Sequence, residues 1–546
     1  MGQSILLRLE SLKKRNFENK ESVNTDLYRL LCNKDLLTIA YNLIKSKPGN
    51  MNPGTDKLTL DELSEEVIEN LIKQLRDQTF KFEPVRRVFI PKGNTNVLRP
   101  LGIQSPRDKI IQKAMLLIME NIYDPTFSTH SHGFRPGHSC HSALKEIRSV
   151  WSGSKWAIEG DIKGCYDNVN HQILIDILRN KIKDERFIQL IWKLLRAGVE
   201  INKTLEKTKI GTPQGGILSP LLANIYLNEF DTFISNLSQE IGSKYNNTRR
   251  ENPEYHKIRG RIYRLHTKRT ASGTVSVRPT KEALKEIKTL SKIQRTIPSK
   301  DPFDKEYRKI LFIRYADDWI VGVFGGKEFA EEVKDKIQTF LQEQLKLTLS
   351  PEKTKITHFA SNNVSFLGYT LQISTRSSYS SSGKQNRRTV GWQPRLFVPI
   401  DKLVKKLFEK NFCRQKSLGV PIGTKKKGWI LYPDKIIVQR YNYVLRGLRN
   451  YYAPADNFGS SMNRIEYLLT YSCAHTLAAK HRTRISAQFK RLEELGLDIM
   501  KSHKNNIWDF KTKPFQYDQL LTSYVKRTKL LSAAECTVLF ANLKKI

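Results

Sequence analysis

Apolar positions recur at helical spacing from Asp26 to Lys45 and again from Leu60 to Leu75, separated by a Pro/Gly-rich break at Pro48 to Gly54. They predict helices in the first part of the chain. From Val85 to Ile90 the pattern becomes that of a short strand ending at Pro91-Lys92-Gly93, and a helix follows from Ser105-Pro106 towards Ile122, with proline suited to its first turn. Lys155 to Ile162 reads as a buried strand, Ile173 to Leu195 as helix, and Leu218 to Ser235 as a long amphipathic helix. Ile310 to Phe324 carries the richest strand-turn-strand signal, because Leu311-Phe312-Ile313 and Trp319-Ile320-Val321 flank a short polar break. A helix is predicted over Lys327 to Leu345.

Elsewhere the periodicity fails. Residues 236–309 are polar and dense in Lys and Arg, which predicts an insertion or surface lobe. Ser374 to Gly391, rich in Ser, Gly and Arg, reads as a linker, and the chain beyond it as mostly helical and basic. Since single cores stop growing near ~250–300 residues, several domains are expected. The divisions fall at 1–80 (helical extension), 81–373 (main body with the insertion), 374–391 (linker), 392–483 (helical) and 484–546 (basic extension).

Lys and Arg number 93 against 54 acids, a formal charge of +39. Such an excess repels itself in a compact state unless a polyanion neutralises it, and nucleic acid is the commonest candidate. Six cysteines without a C-x-x-C pair argue against a disulfide framework and a zinc cage. No run approaches the ~18 apolar residues of a membrane span. Glu10, Glu18 and Glu21 come too early for an acid-poor transit peptide, so no import signal is expected.

Two sites carry the candidate chemistry. Asp317-Asp318 lies between the two apolar runs, where adjacent like charges are unfavourable unless a cation sits between them; alone, the pair also fits a solvated hairpin tip. Asp161, at the end of the Trp156 to Ile162 strand, supplies a third carboxylate, and the Ile162 backbone carbonyl a further oxygen. Two Mg²⁺ ions held by carboxylates from separate strands would serve nucleotidyl transfer, one activating a 3′-hydroxyl and the other holding the triphosphate. Asp167 reads as a helix N-cap.

Tyr315-Ala316-Asp317-Asp318 preceded by Arg314, the Asp161 strand, and Gly211-Thr212-Pro213-Gln214-Gly215-Gly216-Ile217-Leu218-Ser219-Pro220 resemble the group II intron-encoded reverse transcriptase/maturase family. So do Arg86 to Lys92 with Arg99-Pro100-Leu101-Gly102-Ile103, His132-Gly133-Phe134-Arg135-Pro136-Gly137, Ser350-Pro351-Glu352-Lys353-Thr354 and Phe366-Leu367-Gly368-Tyr369, in the family's order. The resemblance implies an α+β right-hand polymerase, its fingers and palm built on antiparallel sheet, followed by a mostly helical thumb/maturase domain and a basic C-terminal extension. It implies that Lys92 and Arg99 meet the triphosphate, that Gln214 contacts the nucleotide's sugar, and that Tyr166 excludes a 2′-hydroxyl where the family usually has Phe. Lys353 would face the primer terminus, or is a helix-end cation.

Ile436 to Tyr452 interleaves aromatic and basic residues at helical spacing, which suits RNA, although Tyr441, Leu445 and Leu448 read better as core. With Tyr471 and His475 to His481 this stretch resembles the family's domain X. The implied role is to bind the intron RNA and stabilise its splicing-competent fold, the RNA itself performing the transesterifications. Arg446, Arg449, Lys425, Lys426 and Lys480 are the candidate RNA contacts. The implied partners are group II intron RNA, an exon RNA or DNA target and dNTPs, with no membrane.

Full-length members often end in an H-N-H nuclease. Glu535-Cys536-Thr537-Val538-Leu539 lacks the cysteine pairs and histidines of such a site, so neither endonuclease activity nor zinc is expected. A splicing-only RNA-binding protein is an alternative that the three carboxylates, Gln214 and the fingers cations disfavour. A viral RNA polymerase is another, and it usually has glycine where this chain has Ala316. Heavy use of Lys, Ile and Asn suggests an AT-rich gene, in a mitochondrion or else in the bacterial cytoplasm.

Overall fold

The computed structural model describes residues 2–497 apart from short segments at 47–51, 61–63, 92–97, 202–203, 207–209, 213–214, 246–247, 271–272, 298, 302–303, 305, 383–384 and 416–419. Its centre is a four-stranded antiparallel sheet in the order Lys355–His358, Trp156–Asp161, Asp318–Phe324, Lys309–Tyr315. Side chains alternate across it, as the period of two dictates. Phe312, Trp319, Val321 and Ile158 join the core beneath the long helix Ser219–Lys244, while Ile313, Ile320 and Ala157 join the core shared with the C-terminal domain. Both faces are therefore covered, which explains why these strands read as continuous apolar runs. Phe230 packs edge-on against Phe312 and Trp319, and Gly160 faces Trp319 because any Cβ there would lie 2.0 Å from the indole.

A second sheet, ordered Leu98–Ile103, Val85–Pro91, Val199–Ile201, Thr204–Glu206, forms the fingers. Behind it the N-terminal helix Gly2–Glu18 packs on Pro106–Tyr123. Two runs predicted as single helices are each broken by a cap. Asn33 accepts from Asp35 and Leu36 amides between Leu27–Leu31 and Lys34–Ile44, and Asp184 accepts from Phe187 between His171–Lys181 and Glu185–Leu195. The helix expected to end near Ser235 continues to Lys244. Within the basic insertion stand two helices, Pro253–His266 and Lys281–Thr296, neither with a buried residue.

Of the stretch read as a linker at 374–391, residues 374–382 and 385–391 are strand, in an antiparallel hairpin of Tyr369–Ser382 with Gln385–Phe397. Its ladder is locked in register by main-chain pairing, which the Ser/Gly-rich composition did not signal. Phe366-Leu367-Gly368-Tyr369 is a two-residue turn in which Leu367 and Gly368 both have positive φ, 45° and 71°, as a type I′ turn requires. The hydroxyls of Tyr451 and Tyr452, at the end of the helix Asp434–Tyr452, donate to the Leu367 and Gly368 carbonyls. That grip fixes the C-terminal domain against the palm.

Candidate active site

The three carboxylates meet at one end of the central sheet. Asp161, the last residue of its strand, is directly opposite Asp318, the first of the neighbouring strand, and Asp318 in turn pairs with Tyr315. The hairpin loop is thus Ala316-Asp317, with Asp318 already on the strand, a correction to the reading that put both aspartates at the tip. Ala316 has φ 58° and Asp317 does not lie in that region, the sign pattern of a type II′ turn, in which glycine is favoured at the first position. Burial raises both aspartates above the usual carboxylate range. Asp318 reaches about 6 through burial, with Asp317 and Asp161 adding repulsion. For Asp317 the charge of Asp161 acts in the same direction, and Lys353 and Arg99 oppose it.

Lys353 Nζ lies 2.6 Å from Asp161 Oδ2. Its turn is tied to the strand by the Ser350 amide, which donates to the Asp161 carbonyl at 2.9 Å, and by the Thr354 amide, which closes onto Ser350. The Ile162 carbonyl takes no part in these bonds, which run to Asp161 and Thr348 on either side. Among the described residues no three carboxylate, imidazole or thiol groups already converge as a metal cage. The donor set still fits Mg²⁺: all its ligands are hard oxygens, and two of the carboxylates are held in mutual repulsion that a cation relieves.

Tyr166 sits in the helical turn Cys165–Asn168, its hydroxyl raised by burial and by the charge of Asp317. Asp167 belongs to the same turn. The following helix is capped by Asn170, whose side chain accepts from Ile173, so the N-cap assignment to Asp167 is corrected. The Thr212 amide donates to the Tyr166 carbonyl at 2.7 Å and the Gly211 amide to Val169 at 2.8 Å. At the other end of that loop Gly215 has φ 100°, and a Cβ on it would lie 2.6 Å from the Gly102 carbonyl of the fingers. Gly211 and Thr212 thus lie against the Tyr166 turn, and Gly215 against the fingers strand that carries Arg99, exposed opposite Ile90. Gln214 and Lys92 lie outside the described residues.

The RNA candidates fall in three kinds of surroundings. Lys480 pairs with Asp434 at 2.7 Å and donates to the Tyr432 carbonyl, and Arg449 pairs with Glu466 at 2.9 Å. Both ion pairs join the helices Asp434–Tyr452 and Phe458–His481. Lys426 lies over the Phe412 and Trp429 rings and donates to the Lys410 carbonyl. Arg446 and Lys425 are exposed. Tyr441 and Leu445 are buried, as expected, and the Tyr441 hydroxyl bonds to Ser472 and Thr476.

Sequence reasoning assigned no role to the anchor of the Asp317-Asp318 turn. Arg314, fully buried, forms a two-point ion pair with Asp231 of the long helix and reaches Asn224, Ser131 and the Ala316 carbonyl. Its signals were an arginine inside an apolar strand and its place before the Tyr315-Ala316-Asp317-Asp318 motif.

A fingers sheet beside a palm sheet with carboxylates at its end is a polymerase-like α+β fold, and the reverse transcriptase (RNA-dependent DNA polymerase) family matches residues 90–245 and 281–371. The match omits 246–280, within the basic insertion. The type II intron maturase family matches 393–533, continuing through the boundary expected at 483. Over 481 residues the chain is 40% identical to the group II intron-encoded protein LtrA of Lactococcus lactis subsp. cremoris, covering 88% of this chain and 78% of that one. It is 35% identical over 516 residues to a putative COX1/OXI3 intron 2 protein of Saccharomyces cerevisiae (92% and 58%). To an uncharacterized 91 kDa protein in the cob intron of Schizosaccharomyces pombe it is 36% identical over 525 residues (95% and 62%). The chain spans about three fifths of these two fungal relatives. It belongs to the group II intron-encoded protein family, as a maturase with a reverse transcriptase domain.

Proposed function

We propose that this chain binds its group II intron RNA, promotes splicing of that RNA, and copies it by target-primed RNA-directed DNA synthesis. The observation that carries the polymerase half is the placement of Asp161 opposite Asp318, with Asp317 in the adjoining turn. Asp161, Asp317, Asp318 and the Ile162 carbonyl would hold two Mg²⁺ ions, which when bound lower the pKa of a primer 3′-hydroxyl and neutralise the triphosphate. Arg99 and Lys92 bind the triphosphate. The Tyr166 ring would exclude a 2′-hydroxyl, and Gln214 would contact the sugar. Lys353 releases Asp161 and turns to the primer terminus.

Exposed Arg446 and Lys425 take RNA phosphates, while Lys480 and Arg449 maintain the surface that presents them. Endonuclease chemistry forms no part of the proposal. The mitochondrion is the favoured compartment, in keeping with a 28% identical mitochondrial protein of Marchantia polymorpha, although a bacterial relative is more similar. Primer extension on an RNA template with Mg²⁺ and dNTPs, run beside a splicing assay of the intron RNA, tests the reading. Both activities are expected; splicing without extension would leave a maturase that no longer polymerises.

A further inference from the structure

We infer that Arg314 is a positioning residue for the Asp317-Asp318 turn, and that its work is to hold Ala316 in a conformation that alanine disfavours. The inference rests on the catalytic reading above. An arginine with no exposed surface is costly unless every donor is met. Here all are: Nε and Nη2 reach the two Asp231 oxygens at 2.7 and 2.6 Å, Nη2 also reaches Ser131 Oγ at 2.8 Å, and Nη1 divides between Asn224 Oδ1 and the Ala316 carbonyl, each at 2.9 Å. Asp231 alone would neutralise the charge. The Nη1 bond to Ala316 is the one that ties the guanidinium to the loop.

The segment 130–133 also clamps the loop. The Arg314 amide donates to the His130 carbonyl and the His132 amide to the Arg314 carbonyl, both at 2.9 Å, so residues 130–133 run beside the strand. Gly133 follows, pressed so close that a Cβ would stand 2.2 Å from the Ala316 nitrogen. Its carbonyl accepts from Asn224 Nδ2 at 2.7 Å, the same amide whose oxygen takes Arg314 Nη1. Asn224 and Asp231 are seven residues apart, two turns on one face of Ser219–Lys244, and both are buried. The helix, the 130–133 segment and the guanidinium thus fix Ala316 at φ 58°, where non-glycine residues are uncommon, and the carbonyl held by Arg314 immediately precedes the Asp317 amide. If the clamp slackens, alanine relaxes towards negative φ and the carboxylates shift.

The test uses Arg314→Lys and Asn224→Ala, each with and without Ala316→Gly, because glycine takes positive φ without being held. Folded fraction is read from thermal melts and primer–template binding, and steady-state extension gives kcat and KM per folded molecule. Arg314→Lys should lower kcat by about 10- to 100-fold, the effect of a displacement of order 1 Å at a reacting centre, with KM for dNTP within about twofold. Ala316→Gly should return at least about fivefold of the loss, and should also rescue the smaller loss of Asn224→Ala, which serves if Arg314→Lys folds poorly. A merely structural arginine would give losses that track the unfolded fraction and no rescue by glycine, and that outcome overturns the inference. Asp317→Asn in the same series separates the two levels: inactive Asp317→Asn without glycine rescue overturns this inference alone, whereas active Asp317→Asn overturns the catalytic reading with it.

Discussion

Lys353 and Asp161 form an ion pair of 2.6 Å at the mouth of the carboxylate site, joining the turn after Ser350 to the end of the central sheet. The lysine's charge also opposes the upward shifts of Asp317 and Asp318. Lys353→Met should therefore push Asp318 above its value of about 6. At sub-saturating Mg²⁺ the acid limb of the extension-rate profile should move to higher pH, and initial rates across pH 5.5–8, about the range that brackets that value, would show it. A limb that stays in place would mean the lysine does not act on these carboxylates.

The raised carboxylates carry a stability cost with a definite sign. A carboxyl whose folded pKa is raised to about 6 adds stability below its unfolded value, and that stability is lost as pH rises through about 6. Asp318 keeps an exposed surface, so solvent screens part of the repulsion. Asp318→Asn should raise the melting temperature at neutral pH in EDTA by about 2 °C, lose that advantage near pH 4, and abolish synthesis. A destabilised variant would contradict the mutual repulsion.

Gly215→Ala should raise KM for dNTP by about tenfold while primer–template affinity holds, since a Cβ 2.6 Å from the Gly102 carbonyl forces the fingers away from the nucleotide loop. Steady-state kinetics with each dNTP would decide it. Equal loss in every parameter would point to general disruption instead.

Much of this arrangement was legible in the sequence, for identifiable reasons. Strands with both faces buried announce themselves as apolar runs, so the central hairpin and the Asp161 strand stood out, and the family motifs marked the loops between them. The caps at Asn33 and Asp184, which split two helices, were hidden because apolar periodicity continues across them. The strands within Ser374 to Gly391 were hidden because their pairing is made by backbone, which composition does not encode. Arg314 and Asp231 are 83 positions apart, and Lys480 meets Asp434 across 46, so neither partner could be named before the fold was known. The ion pairs of Lys480 and Arg449 were hidden for the same reason.

Exposed and ion-paired surroundings separate two phenotypes. Arg446→Ala with Lys425→Ala should weaken intron binding and lower the slope of log affinity against log salt by about 1 to 2. Lys480→Ala should lower the melting temperature by leaving Asp434 short of a partner, with the salt slope nearly unchanged. A changed slope for Lys480→Ala alone would return it to the RNA surface.

The central claim, that the carboxylates at the end of the palm sheet perform DNA synthesis while a separate basic surface holds the intron, is tested most directly by Asp317→Asn. Primer extension on an RNA template should fall at least about 10³-fold with Mg²⁺ present, while intron RNA affinity and its salt slope match the wild type. Retained extension would contradict the assignment of the site, and joint loss of extension and RNA binding would show that Asp317 supports the fold and not the chemistry.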